Sequence, residues 1–197
     1  KFNNISKNLY EIEVNSKSNS KVICNLIDLE GNTRIYSAKS NTYEEAESYL
    51  NNIYIGKDNE LIDMNYNYLN IGEKCINNIE VQGLLNDKAI KHFKGTIDFK
   101  EGSRESVGKE NENCVLLTKD AISRSLPMLL CHEENVEGAH SVSSGTIDKS
   151  KLFYLMSRGF SEKEAKRIII KSNFNEIINN TPDDIHDEIN ALIDLYL

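Results

Sequence analysis

Five residues in the second half of the chain carry donor atoms that could do chemistry together: Cys114, Cys131, His132, Glu134 and His140. Thiolate and imidazole are the ligands that soft metal ions and iron-sulfur clusters take, with carboxylate as a harder alternative. Their spacing matches no closed metal site, so a second reading stands beside the first: small buried thiols and hydrogen-bonded histidines. His132-Glu133 opens like a zinc-protease helix, yet Val136 occupies the place of the second histidine, so two imidazoles cannot converge from adjacent turns. A phosphate-binding glycine loop, a dinucleotide fingerprint and a nucleophile elbow are all missing from the sequence.

The elements that must position these residues change character near residue 147. Before it, turn signals at Gly31-Asn32, Gly56 to Asn59, Gly72-Glu73, Asn86-Asp87 and Glu101-Gly102 divide short apolar-polar alternations. Ile62, Met64, Tyr66 and Tyr68 alternate in this way, as do Ile79, Val81 and Gly83, and Phe93, Gly95, Ile97 and Phe99. Regular strand-turn units that bury one face suit a stacked β architecture, a β-helix or solenoid, although a sandwich has similar spacing. Thr42 and Glu45 form a capping-box pattern ahead of a helical face of Tyr43, Ala46, Leu50 and Ile53. The β-forming Tyr49, Ile53, Tyr54 and Ile55 favour strand for the same stretch.

From residue 148 the periodicity is helical. Asp148 is a cap for a helix with apolar Leu152, Phe153, Leu155 and Met156, ended by Gly159. Ser161 and Glu164 form a capping box for a second helix through Ala165, Ile168, Ile169 and Ile170. Thr181, with Pro182 and Asp184 behind it, reads as the cap of a third, whose stripe is Ile185, Ile189, Leu192, Ile193 and Tyr196. The expected division is a β body over 1–147 and a helical module over 148–197.

Composition narrows the function classes. A net charge of −8 repels phosphate backbones and anionic lipids, which argues against nucleic acid as a partner. No run approaches the ~20 apolar residues of a membrane span, so no membrane role is expected either. The mixed charges read as a solvated surface. Four widely spaced cysteines without a CxxC pair suit reduced thiols and a cytoplasmic location. The chain opens on Lys1 and not Met, as a fragment or a chain missing its first residues would.

The run Leu152-Phe153-Tyr154-Leu155-Met156-Ser157-Arg158-Gly159-Phe160 resembles the LFYLxSRGI signature of the SufB/SufD family of iron-sulfur assembly proteins. Pro127-Met128-Leu129 through Glu134-Asn135-Val136-Glu137-Gly138-Ala139-His140 resembles that family's PxLEIxxDDVKCxHGAT segment. Phe93-Lys94-Gly95-Thr96-Ile97 resembles its FxGxI stretch, and Asn113 with Val115-Leu116-Leu117 its NxLLL stretch. The likeness extends over about residues 60 to 180. It implies a right-handed parallel β-helix followed by a small C-terminal α-helical module, dimerisation with a second copy or a SufB/SufD paralogue, and docking of a SufC-type ABC ATPase on the C-terminal helices. A transiently held iron-sulfur cluster is the implied cargo, with no tightly bound cofactor.

By the same resemblance His140 falls on a histidine implicated in cluster assembly, and Phe153, Tyr154, Arg158 and Gly159 fall in the signature of the ATPase-binding helices. The chain also departs from the pattern. Gly138 stands where a cysteine precedes that histidine by two residues, and His140-Ser141-Val142-Ser143 replaces HGAT. The family cysteine before the leucine pair aligns with Asn113, so Cys114, the second candidate ligand, is one residue out of register and in a strand would face the other way. The function expected is a non-catalytic scaffold. The competing expectations are a β-helical carbohydrate-binding protein or lyase, and a structural relic without cluster chemistry.

Overall fold

A computed structural model of the chain describes residues 7–29 and 31–196. Ten strands form two parallel sheets. One consists of β1 (Lys7–Ser16), β3 (Thr33–Thr42), β5 (Leu61–Asn70), β7 (Ile90–Phe99) and β9 (Ile122–Cys131), in that order. The other consists of β2 (Lys21–Asp28), β4 (Glu47–Gly56), β6 (Ile76–Leu85), β8 (Ser106–Leu116) and β10 (Val136–Gly145), stacked in the same order. Successive strands alternate between the sheets, so the chain winds as a parallel β-solenoid of about five coils. Leu61 pairs with Ile90 and Ile90 with Ile122, so one coil takes roughly thirty residues, two of the turn intervals visible in the sequence.

Period two does the sorting. Ile62, Met64, Tyr66 and Tyr68 on β5 lie inside with Ile79 and Val81 of β6 and Phe93, Ile97 and Phe99 of β7, between the two sheets. β4 is buried on both faces along Asn51–Gly56, which is why its pattern also fitted a helix; the strand reading holds. At the corners Asn19, Glu45, Lys74 and Glu105 stand in register two residues or fewer ahead of β2, β4, β6 and β8, all with φ of 53 to 60°. This left-handed conformation is costly for non-glycine residues. Each is held by its N–H donating to a carbonyl of the neighbouring coil: Asn19 to Glu44, Glu45 to Glu73, Lys74 to Arg104 and Glu105 to Asn135. The stack repeats the turn because each coil supplies the acceptor for the next.

The helices follow at α1 (Lys149–Ser157), α2 (Glu162–Asn179) and α3 (His186–Tyr196). Asp148 caps α1 by accepting from the N–H groups of Ser150 and Lys151, and the Ser161–Glu164 capping box opens α2 as expected. One expectation fails. Thr181 does not cap α3: its hydroxyl donates to the Ile178 carbonyl and so closes α2, while Pro182 leads into a short 3-10 turn, Asp183–Ile185, ahead of α3. α1 itself buries no residue, so its apolar side is open. The core contact comes from α2 and α3. Ile170, Phe174, Ile177 and Ile178 of α2, with Ile189 and Ile193 of α3, pack on Ile53, Ile55, Leu84 and Val115 of the β2–β10 sheet. The side chain of Tyr196 lies outside the described residues. No helix among the described residues is long and apolar enough to cross a membrane.

Candidate functional site

The solenoid ends on β9 and β10, whose outer edges pair with no described strand. Unpaired N–H and C=O groups there form a template for another strand. Register decides which β10 side chains face the interior at this end. Val136, Gly138, His140, Val142 and Ser144 pair with Ser106, Gly108, Glu110, Glu112 and Cys114 of β8, all of which point inward and are buried. Paired residues share a face of a sheet. A Cβ on Gly138 would stand 3.2 Å from the Phe99 ring and 3.4 Å from a Leu129 methyl, so this face does look into the solenoid. His140 is therefore an inward-register imidazole left exposed because no further coil covers it.

Cys114 also points inward, opposite to Asn113. Asn113 lies on the outer face, donating to Gln82 Oε1 at 3.1 Å and accepting from Ser143 Oγ at 2.9 Å. Cys114 and His140 are not brought together. Cys114 pairs with Ser144, four positions beyond His140, a separation of roughly 13 Å along the strand at ~3.3 Å per residue. The thiol is fully buried, and burial pushes its pKa up. Cys131 is exposed. It lines a shallow depression of 630 Å³ with His132, Glu133, Glu134 and Gly138. His132 Nε2 is 3.7 Å from Asp98 Oδ1. Among the described residues no three His, Cys, Asp or Glu side chains gather closely enough to hold a metal ion.

Beneath the open end lies a polar cluster that the sequence reading left on the surface. Lys91 of β7 is wholly buried, with Nζ 2.5 Å from Glu112 Oε1 and 2.8 Å from Ser125 Oγ. The Ser125 hydroxyl donates to Glu112 Oε2 at 2.6 Å, and the Tyr54 hydroxyl to Oε1 at 3.3 Å. Glu110, two residues away on the same face, is 1% exposed and has no partner for either carboxylate oxygen. Burial, reinforced by the Glu112 charge, pushes its pKa up to about 7. Its head group lies against Gly95, where a Cβ would come within 2.3 Å of Glu110 Cδ, so a side chain there would have to displace the carboxylate. The signal was in the alternation: two residues back from Phe93, Gly95, Ile97 and Phe99 stands Lys91.

The second set of candidates, Phe153, Tyr154, Arg158 and Gly159, lies together around the end of α1. Phe153 is 74% and Tyr154 56% exposed, with Met156 and Phe160 also uncovered, and the Arg158 guanidinium sits 5.3 Å from the Tyr154 ring centre. Gly159 takes φ of 97°. The Phe160 N–H donates to the Leu155 carbonyl and the Gly159 N–H to that of Met156, the paired bonds of a Schellman turn. Gly159→Val should cost about 1–2 kcal/mol of local stability, since a branched residue is strained at that φ. Because α1 buries nothing, the loss will be read as faster hydrogen exchange at the Phe160 amide. An exchange rate equal to the parent's would rule this geometry out.

Comparison with known proteins adds to this geometry. The family model described as "SUF system FeS cluster assembly, SufBD core domain" matches residues 2–173. The chain is similar to the iron-sulfur cluster assembly protein SufD of Bacillus subtilis, 25% identical over 153 residues, covering 78% of this chain and 34% of that protein. It is similar to an iron-sulfur cluster assembly SufBD family protein of Mycobacterium tuberculosis, 24% identical over 201 residues, covering 98% of this chain and 23% of the relative. With the SufD of Escherichia coli it shares 30% identity over 87 residues, 44% of this chain and 21% of that one. The chain thus spans between 21% and 34% of the length of each of these three relatives.

Proposed function

The chain belongs to the SufBD core family of the SUF system for iron-sulfur cluster assembly, and from that premise we propose that it is a non-catalytic scaffold on which a cluster is held in passing. The observation that carries this reading is His140, an exposed imidazole in the inward register of an unpaired edge strand. A lone imidazole on such an edge is half a site. A second copy, or a SufB/SufD paralogue, paired along β9 and β10 would cover the edge and bring further donors against it. Iron and sulfide are cargo in this reading. A SufC-type ABC ATPase docks on the exposed apolar end of α1, where Phe153, Tyr154 and Arg158 surround the Gly159 turn, and supplies the ATP hydrolysis. A cytoplasmic location accords with four free cysteines.

His140 is assigned the larger role and Cys114 the smaller, on ligand access. A neutral imidazole binds iron near neutral pH, whereas a buried thiol whose pKa is raised must first lose a proton and reach the surface. Anaerobic reconstitution with iron and sulfide, in the presence of the ATPase, tests this. His140→Ala should lose most of the iron and sulfide bound per dimer, and Cys114→Ser should retain it, both variants first being shown to be folded. Loss with Cys114→Ser and retention with His140→Ala would reverse the assignment. A parent that takes up no cluster would leave the dimer and ATPase contacts as the whole function.

A further inference from the structure

Glu110 is a buried carboxylate with no hydrogen-bond partner among the described residues. Both oxygens lack a hydrogen-bond partner, the residue is 1% exposed, and the opposite sheet makes room for the head group with Gly95. A buried polar group is costly to leave unpaired, so a carboxylate kept in that state points to a partner that is not always present. Neighbouring Glu112 does not share the problem, since Lys91, Ser125 and Tyr54 occupy its oxygens.

The place of Glu110 suggests the partner. Its Cα is the register mate of His140, and the two side chains leave the sheet on the same face of adjacent strands, about 4.8 Å apart. Histidines that ligate metals hand their second ring N–H to a carboxylate, carbonyl or water, which fixes the tautomer and raises the basicity of the ligating nitrogen. We propose that Glu110 is the positioning residue for His140: when the imidazole takes iron through one ring nitrogen, the other N–H donates to the Glu110 carboxylate. This rests on the reading of His140 as a cargo ligand. The positive charge of the iron lies across the ring from the carboxylate and favours its ionised form, and the carboxylate holds the ring in the ligating orientation.

Cobalt(II), a spectroscopic stand-in for ferrous iron, tests the inference by anaerobic optical titration of the purified protein. Glu110→Gln keeps an acceptor but not the charge, and Glu110→Leu removes both. Cobalt affinity should fall in the order parent, Gln, Leu, by about tenfold to a hundredfold overall. Thermal stability should not fall in that order, because an apolar or neutral group suits the buried position at least as well. Adding either change to His140→Ala should cost nothing further. Equal cobalt affinity in the parent and both Glu110 variants, with His140→Ala abolishing binding, would overturn the positioning role and leave the site itself standing. Binding unaffected by His140→Ala, or absent from the parent, would overturn both.

Discussion

Replacing Lys91 with methionine is expected to lower the free energy of unfolding by about 3–5 kcal/mol. The ammonium group is enclosed between the two sheets and holds Glu112 at 2.5 Å, with Ser125 closing the triangle. Attraction between the two charges offsets the cost of bringing them out of water. With the lysine gone, Glu112 remains buried beside Glu110, and two carboxylates share a low-dielectric space with no cation. Methionine matches the lysine stem in length, so packing changes little and the loss is electrostatic. Urea unfolding of the single variant and of Lys91→Met/Glu112→Leu separates the causes. The double variant should recover most of the loss, since a well-packed apolar replacement for a buried ion pair is often neutral or stabilising. A single variant within about 1 kcal/mol of the parent would show that the pair is not desolvated as described. The same pair also sets the inner face of β8, the strand against which β10 and His140 lie.

Which parts of this could be read from the sequence follows from burial geometry. β5 was legible because Ile62, Met64, Tyr66 and Tyr68 all turn to one interior, and the same held for β7. β4 was ambiguous because sheet and helices cover it on opposite sides, which erases the alternation. The buried charges were read as solvated surface: Arg34, Lys91, Glu110 and Glu112 look like any other ionisable residue until strand parity places them inside. Arg34 pairs there with Asp28 at 2.8 Å and Glu60 at 3.0 Å. Apolar character at α1 is visible in composition, but a docking face and a core face have the same composition, so only the family signature pointed to an open face. For Thr181 the hydroxyl had two possible employments, closing α2 or opening α3, and the choice depends on where the intervening 3-10 turn directs the chain. The inward parity of His140 follows from register with Glu110, whereas its motif was readable without any structure.

Truncating Phe174 should have an effect of similar size on the helical end of the molecule. Its ring is 1% exposed at the centre of the cluster that joins α2 and α3 to the outer face of the β2–β10 sheet. Phe174→Ala removes the ring and leaves a cavity among Ile53, Ile55, Leu84 and Ile177 that rigid β-strands cannot close, for an expected loss of about 3–5 kcal/mol. Ile170, Ile177 and Ile178 share the cluster, and the Asn25 side-chain amide donates to the Asn180 carbonyl at 3.1 Å, but Phe174 is the largest side chain that α2 contributes. The expected division of the chain after residue 147 is tested by the same variant. If the helices are a module, amides of α2 and α3 should exchange faster by the full loss, while those of β5 and β7, bonded within the opposite sheet, keep most of their protection. If the strands lose protection in step with the helices, the chain unfolds as one unit and the division fails. The ATPase-docking proposal meets the same variant: α1 buries no residue and is followed directly by α2, so a loosened helical end should keep its exposed apolar surface, and Phe174→Ala should still retain the ATPase in a pull-down.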